Sequence, residues 1–136
     1  MSALGGGYES GVTLYLRLPA EPVSAREARR AVTTWAQSRG VGPELDDLSL
    51  VTSELVANAA SHGTGPVTVE AVHSGDAIRL KVTDSGECPN VAPRDPQLDD
   101  DRGRGLLIVA ALARAWGSSA GNGSTEVWAE LFIGRH

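Results

Sequence analysis

Several features that would assign this protein to a particular class are missing from its sequence. Cys88 is the single cysteine, so a disulfide within the chain and a cysteine-based metal cluster are both excluded. No stretch approaches the roughly 20 apolar residues that cross a bilayer, and the Gly-rich residues 1–10 lack the basic and apolar parts of a secretory signal. We therefore expect a cytoplasmic protein without a membrane segment, whose residues 1–10 form a flexible tail.

Positive charge is also scarce. Twelve Lys and Arg residues stand against seventeen Asp and Glu residues, which gives a formal net charge of −5. We therefore expect no direct DNA binding through a broad basic face, although Arg26, Arg29 and Arg30 form a local basic cluster. The 41% hydrophobic fraction is enough for one core, and no change in composition marks a boundary, so we predict a single domain over residues 1–136.

Alternation of apolar and polar residues predicts four strands. The alternating stretches are 12–18, 67–71, 78–82 and 127–131. The second and third flank the turn-forming Ser74-Gly75-Asp76, which indicates a hairpin. Asp84 continues the apolar phase of its strand, so its carboxylate should point inward.

Helical periodicity predicts three helices. The first covers roughly residues 25–39, with Ser24 and Glu27 as a capping box. The third, residues 106–113, is apolar nearly all round, which predicts a well-buried helix that Gly117 ends. Because the strands keep one polar face and the helices cover the other, the fold class should be a two-layer α/β (α+β) sandwich with a mostly antiparallel, mixed sheet.

The long connection over residues 85–102 contains three prolines and the acidic run Asp99-Asp100-Asp101. Connections of this length without regular structure are usually functional lids or disordered segments. We predict a lid.

The second helix carries the most informative spacing in the chain. Glu54, Asn58 and His62 recur every four residues and therefore point the same way. An apolar stripe runs beside them at helical intervals: Leu48, Val51, Leu55 and Ala59. The helix can thus bury one flank and present an acid, an amide and an imidazole along another, which suits a metal-nucleotide site.

Glu54 and Asn58 could act together on a bound nucleotide. A carboxylate can accept the proton of a hydroxyl that attacks the γ-phosphate, and an amide oxygen is a suitable ligand for Mg²⁺. Taken alone, an E-x-x-x-N spacing is more often a solvated Glu and a helix-surface Asn. The interpretation therefore depends on other residues.

Asp84 is one residue that supports a nucleotide site. An inward carboxylate can accept a hydrogen bond from the adenine amino group, Gly86 lets the backbone approach the ring, and Thr125 could bond the adenine directly or through water. Taken alone, Asp84 and Gly86 are typical of an ordinary D-x-G turn, and Thr125 of a strand.

Gly103 and Gly105 also support a nucleotide site, because the free backbone N–H groups at the start of a helix favour phosphate binding. A lone G-x-G often does no more than end a loop. Arg102 and Arg104 could add positive charge to a phosphate site or be solvated.

Four segments that contain these residues follow one another along the chain: E-L-V-A-N-A-A-S-H-G, V-T-D-S-G, G-R-G-L-L-I-V and T-E-V-W-A-E-L. In this order they resemble the N, G1, G2 and final-strand boxes of the GHKL (Bergerat-fold) ATPases. Within that superfamily the short chain resembles the bacterial anti-sigma factor serine/threonine kinases. It is less similar to histidine kinases, which carry a separate phosphoacceptor domain.

The resemblance implies a cofactor set of ATP and Mg²⁺, with Glu54 as the catalytic base and Asn58 as the metal ligand. The positions that it implies for nucleotide binding are Asn58, Asp84, Gly86, Gly103, Arg104, Gly105, Leu106 and Thr125. It also implies two protein partners: a sigma factor, and an anti-sigma antagonist that is phosphorylated on serine or threonine. A homodimer through the first strand is a further expectation from the resemblance.

Two departures from the family pattern bear on activity. The second glycine of the superfamily's D-x-G-x-G is Cys88 here, and the lid is short and acidic. The leading hypothesis is an active kinase. The alternatives are a catalytically weak nucleotide-binding module that sequesters its partner without turnover, and an adaptor that binds no nucleotide.

Overall fold

The computed structural model describes residues 13–62, 65–85, 101–121 and 123–133, without the side chains of residues 62 and 101–104. The elements in these ranges are β1 (Thr13–Leu18), α1 (Val23–Ser38), α2 (Leu45–His62), β2 (Val67–Ser74), β3 (Ala77–Asp84), α3 (Asp101–Leu112), β4 (Ala115–Gly121) and β5 (Ser124–Phe132). The predicted tail, most of the predicted lid, Gly86 and Cys88 lie outside the described residues.

The described strands form one sheet in the order β1-β2-β3-β5-β4. Every pair of neighbours in it is antiparallel. Burial alternates along β2 and β5, since one face of the sheet packs against the helices and the other faces solvent. The predicted α/β sandwich is confirmed.

The strand β4 is absent from the sequence prediction. Gly117 was expected to end the third helix, but α3 ends at Leu112, and Gly117 lies within β4 opposite Trp128 of β5. Ala115–Gly121 consists mostly of small residues, so it has no apolar alternation to reveal it. Pairing with β5 makes this segment a strand.

The core lies between the sheet and the helices. Its largest side chains with at most 1% exposure include Leu48 and Leu55 from α2, Ile78 and Leu80 from β3, and Leu131 from β5. Burial of one such side chain contributes about 1.5–3 kcal/mol. Because α2 contacts both other helices as well as β2, β3 and β5, it is the element around which the core is built.

The predicted capping box at the start of α1 is wrong. The helix begins at Val23, Pro22 occupies the N-cap without a side-chain hydrogen bond, and Ser24 lies inside the first turn. The Ser24 hydroxyl instead donates to the carbonyl oxygen of Pro19 at 2.6 Å. This bond satisfies a fully buried hydroxyl and ties the entry segment to the helix.

The third helix is less buried than its composition indicates. Leu106 and Val109 are buried, but Leu107 is 36% exposed and Ala110 and Ala111 face solvent. The reason is that α3 packs mainly on α2, so its opposite side has no neighbour among the described residues. None of the helices described is both long and apolar enough to cross a membrane.

Candidate functional site

The site is centred on α2. The apolar residues of this helix pack into the core and thereby fix which face of the helix carries the polar residues. Leu48, Val51 and Leu55 are at most 1% exposed. They hold the flank of the helix that carries Glu54 and Asn58 beside the core. Glu54 is half-buried and Asn58 is only 6% exposed.

The amide oxygen of Asn58 has no hydrogen-bond partner among the described residues, although it is buried. Leaving a buried acceptor without a donor costs about 1–3 kcal/mol. Thr52 on the same helix shows the ordinary arrangement, because its buried hydroxyl donates to the carbonyl oxygen of Leu48 at 2.8 Å. Asn58 Oδ1 is therefore an oxygen suited to a bound ligand, since no described residue donates to it.

Asp84 and Thr125 form the second part of the site. Asp84 ends β3 and Thr125 lies near the start of β5, and the two are opposite one another in the antiparallel register. Both are on the helix-covered face of the sheet, at 3% and 2% exposure. The inward orientation predicted for Asp84 is confirmed. A carboxylate beside a hydroxyl can accept a hydrogen bond from an amino group while the hydroxyl donates or accepts another.

A close approach links the end of α2 to Asp84. Gly65, in the segment that follows α2, lies so close to Ser85 that a Cβ at position 65 would collide with the Ser85 hydroxyl. Ser85 directly follows Asp84, and α2 also packs on β3. The helix that carries Asn58 and the strand that carries Asp84 therefore meet at this edge of the sheet.

A second close approach joins α3 to Glu54. An ideal Cβ built on the buried Gly105 would lie 2.5 Å from Oε1 of Glu54. Gly103 and Gly105 fall inside α3, which begins at Asp101, so the helix starts before the residues predicted to begin it. Gly105 thus lies against the carboxylate that sequence analysis assigned as the base.

The remaining predicted positions are distributed as follows. Leu106 is 3% exposed and belongs to the hydrophobic core. Gly103 lies in the first turn of α3, while the side chains of Arg102 and Arg104 are outside the description. The structure therefore brings together Glu54 with Gly105, and Asp84 with Thr125, on elements that pack around α2.

Besides the approach of Gly105 to Glu54, two contacts near the site were not foreseen from the sequence. The approach of Gly65 to Ser85 is one, and the other joins the basic cluster to α2, because Arg29 donates from Nη1 to Ser53 Oγ at 3.4 Å. Ser53 directly precedes Glu54. The sequence showed the cluster of arginines, but it did not show which residue the cluster contacts.

The oxygen atom that the protein offers here fits a magnesium ion bound together with a nucleotide. Among the described residues, no group of three or more His, Cys, Asp or Glu side chains could hold a metal. Asn58 offers a single hard oxygen, and Mg²⁺ is usually held by one or two protein oxygens together with phosphate oxygens and water. The protein contribution seen here matches that pattern.

The chain matches one known protein family in sequence and known structures in fold. The sequence model of the histidine kinase-like ATPase domain matches residues 18–131. No curated protein matches the chain.

Two solved structures are similar to the chain. The crystal structure of the RsbU and RsbW domains of Rv1364c from Mycobacterium tuberculosis superimposes with a TM-score of 0.73 at 24% identity, over 93% of this chain and 34% of that one. The Acinetobacter baumannii histidine kinase AdeS gives a TM-score of 0.53 at 13% identity, over 90% of this chain and 68% of that one. The chain thus spans about a third of the first of these structures.

Proposed function

The chain belongs to the histidine kinase-like ATPase domain family, and from this premise we propose that it is an ATP-binding anti-sigma regulatory factor that phosphorylates a serine or threonine of an antagonist protein. One observation carries the proposal most directly: the amide oxygen of Asn58, one helical turn after Glu54, is buried and has no partner among the residues that the structure describes. A retained polar atom that costs stability is expected where a ligand uses it.

The adenine would be recognised at Asp84 and Thr125. Their burial makes each hydrogen bond to the base stronger than it would be in water. The carboxylate of Asp84 accepts from the adenine amino group, and the hydroxyl of Thr125 adds a second polar contact. Asp84 lies near the segment that follows α2, and from there the phosphates would extend toward Asn58.

Glu54 serves as the general base for phosphoryl transfer. Its carboxylate accepts the proton of the substrate hydroxyl as that oxygen forms a bond to the γ-phosphorus. The bond from the γ-phosphorus to the bridging oxygen breaks, and ADP leaves with the electron pair. The products are ADP, a phosphorylated side chain and a protonated Glu54. When bound, Mg²⁺ neutralises charge on the phosphate oxygens, and Asn58 Oδ1 is the protein atom that would hold it.

The partner assignment is supported by the sequence resemblance and by similarity to a structure that contains RsbU and RsbW domains. We propose that a sigma factor and its phosphorylatable antagonist are the two partners. The alternative, a module that binds nucleotide without turnover, differs in one measurable respect. It would bind ATP but would form no ADP.

Titration with ATP and Mg²⁺ tests the site before any partner is known. Asp84→Asn replaces an acceptor with an amide that can present a donor to the adenine amino group, and we expect its affinity to fall by about tenfold to 100-fold. Asp76→Asn is the matched control, because Asp76 is an exposed residue in the hairpin turn, and its affinity should be unchanged. Unchanged affinity in a folded Asp84→Asn protein would refute the adenine site.

A further inference from the structure

We infer that Gly105 is a positioning residue for the Glu54 carboxylate, an assignment that rests on the function proposed above. The lack of a side chain at position 105 lets α3 pack directly against that carboxylate and fix where it lies. This role is separate from any contact between the Gly105 backbone and a phosphate.

The contact is confined to one end of the Glu54 side chain. A Cβ at position 105 would lie 2.5 Å from Oε1, below the 3.0 Å under which real Cβ contacts essentially do not occur. The same Cβ would lie 3.5 Å from Cδ and 3.7 Å from Cβ of Glu54, which are ordinary contacts. A side chain at position 105 would therefore displace the carboxylate before it displaced the helix backbone.

Nothing in the conformation of the backbone at position 105 requires glycine. The described glycines with positive φ are Gly40, Gly75 and Gly123, whereas Gly105 lies inside α3. Glycine in a helix interior is unfavourable relative to alanine, because it loses more backbone freedom on folding. At a buried helical position, an alanine would be preferred unless a neighbour occupied the space of its Cβ, and here that neighbour is the Glu54 carboxylate.

The position of the carboxylate matters because a general base must lie within hydrogen-bonding reach of the proton that it accepts. Glu54 lies on α2 and is confined on one side by α3, so the packing of these two helices sets its position. A misplacement of about 1 Å can lower a rate by about 100-fold. We therefore expect Gly105→Ala to lower kcat by about that factor while ATP affinity changes little.

A double-mutant cycle in unfolding isolates the contact without relying on activity. In the parent protein, Gly105→Ala forces the half-buried Glu54 carboxylate to move aside, which offsets the gain in helix propensity, so the unfolding midpoint should change little. In the Glu54→Ala background the collision is gone, so the same substitution should raise the midpoint by about 3 °C through its better helix propensity. Gly42→Ala is the matched control, since a Cβ there meets nothing within 4 Å and its effect should be equal in both backgrounds.

The outcomes separate this inference from the proposed function. A gain in midpoint that appears only in the Glu54→Ala background supports the positioning role even in a protein that shows no turnover. An equal effect of Gly105→Ala in both backgrounds overturns it. A loss of ATP affinity that persists in the Glu54→Ala background also overturns it, because the glycine would then act on the phosphates.

Discussion

Polar residues on the two faces of the sheet differ in how far they are buried. On the solvent face, Arg114 donates from Nε and Nη2 to Oε2 of Glu130 at 3.1 and 2.9 Å, and the Arg79 guanidinium lies 4.2 Å from the centroid of the Trp128 ring. These groups are partly exposed and bind one another. On the helix-covered face, Asp84 and Thr125 are almost completely buried.

The contrast separates polar groups that are cheap to place from polar groups that are costly to bury. Exposed pairs cost little free energy to form and contribute little to stability, so their presence does not indicate a function. Buried polar groups cost free energy when they are removed from water, and Asn58 Oδ1 lacks even a compensating partner within the described chain. The helix-covered face therefore contains the residues that a function must account for.

The largest effect should follow substitution of the residue that contributes chemistry. Glu54→Gln keeps the shape of the side chain but removes its ability to accept a proton, so we expect turnover of ATP to fall by about 100-fold to 10,000-fold. ATP affinity should change by less than about threefold, since the base acts in the transition state. Single-turnover formation of ADP measures the first, and titration measures the second. A parallel loss of binding would contradict the assignment of Glu54 as a base.

Asn58→Leu should move stability and binding in opposite directions. Removing an amide oxygen that is buried without a partner among the described residues should raise the free energy of unfolding by about 1 kcal/mol, while Mg²⁺-dependent ATP affinity should fall by about tenfold or more. Chemical denaturation and titration give the two numbers. Thr52→Val on the same helix is the control, because it removes a hydroxyl that is already bonded and should therefore not stabilise the fold. A destabilised Asn58→Leu protein would show that the amide is structural.

On the solvent face, a substitution should change stability alone. Gly117 lies under the Trp128 indole, and a Cβ there would be 2.9 Å from Nε1 and 3.0 Å from Cε2 and Cζ2. The rigid ring cannot yield easily, so Gly117→Ala should lower the free energy of unfolding by about 1–3 kcal/mol. Gly121→Ala in the same strand meets nothing within 4 Å and should cost less. Reduced ATP affinity in folded Gly117→Ala would break the division between the two faces.

The sequence predicted those features whose signal is local. Alternation revealed β1, β2, β3 and β5, because each turns one apolar face toward the core, and the same phase placed Asp84 inward. The strand β4 was missed because its small residues carry no alternation and its pairing with β5 is a tertiary effect.

The candidate site could be proposed from the sequence as a set of residues, but its contacts could not. Spacing placed Glu54 and Asn58 on one side of a helix, but it could not show that Asn58 is buried and Glu54 only half-buried. The approach of Gly105 to Glu54 depends on how α3 packs against α2, and no pattern in either helix encodes that distance. The G-x-G was therefore interpreted for phosphate alone.

The smallest effect is expected at the ion pairs of the solvent face. The hydrogen bond to Glu130 raises the pKa of Arg114 above its ordinary value, so any stabilisation is fully present below the ordinary pKa of arginine and is lost only as the pH rises through the raised pKa. Between about pH 6 and 8 the contribution of this charge is therefore constant. Arg114 is 42% exposed, and its partners Glu130 and Asp76 are 25% and 51% exposed. Arg114→Gln should therefore lower the unfolding midpoint only slightly, by an amount that does not vary over that pH range. Since exposed charges are screened by salt, the difference should shrink between about 0.1 M and about 1 M NaCl. A large loss of stability that salt does not reduce would mean that Arg114 acts through packing on Phe132, whose ring centroid lies 5.8 Å away, and that the solvent face is not held by charge pairs.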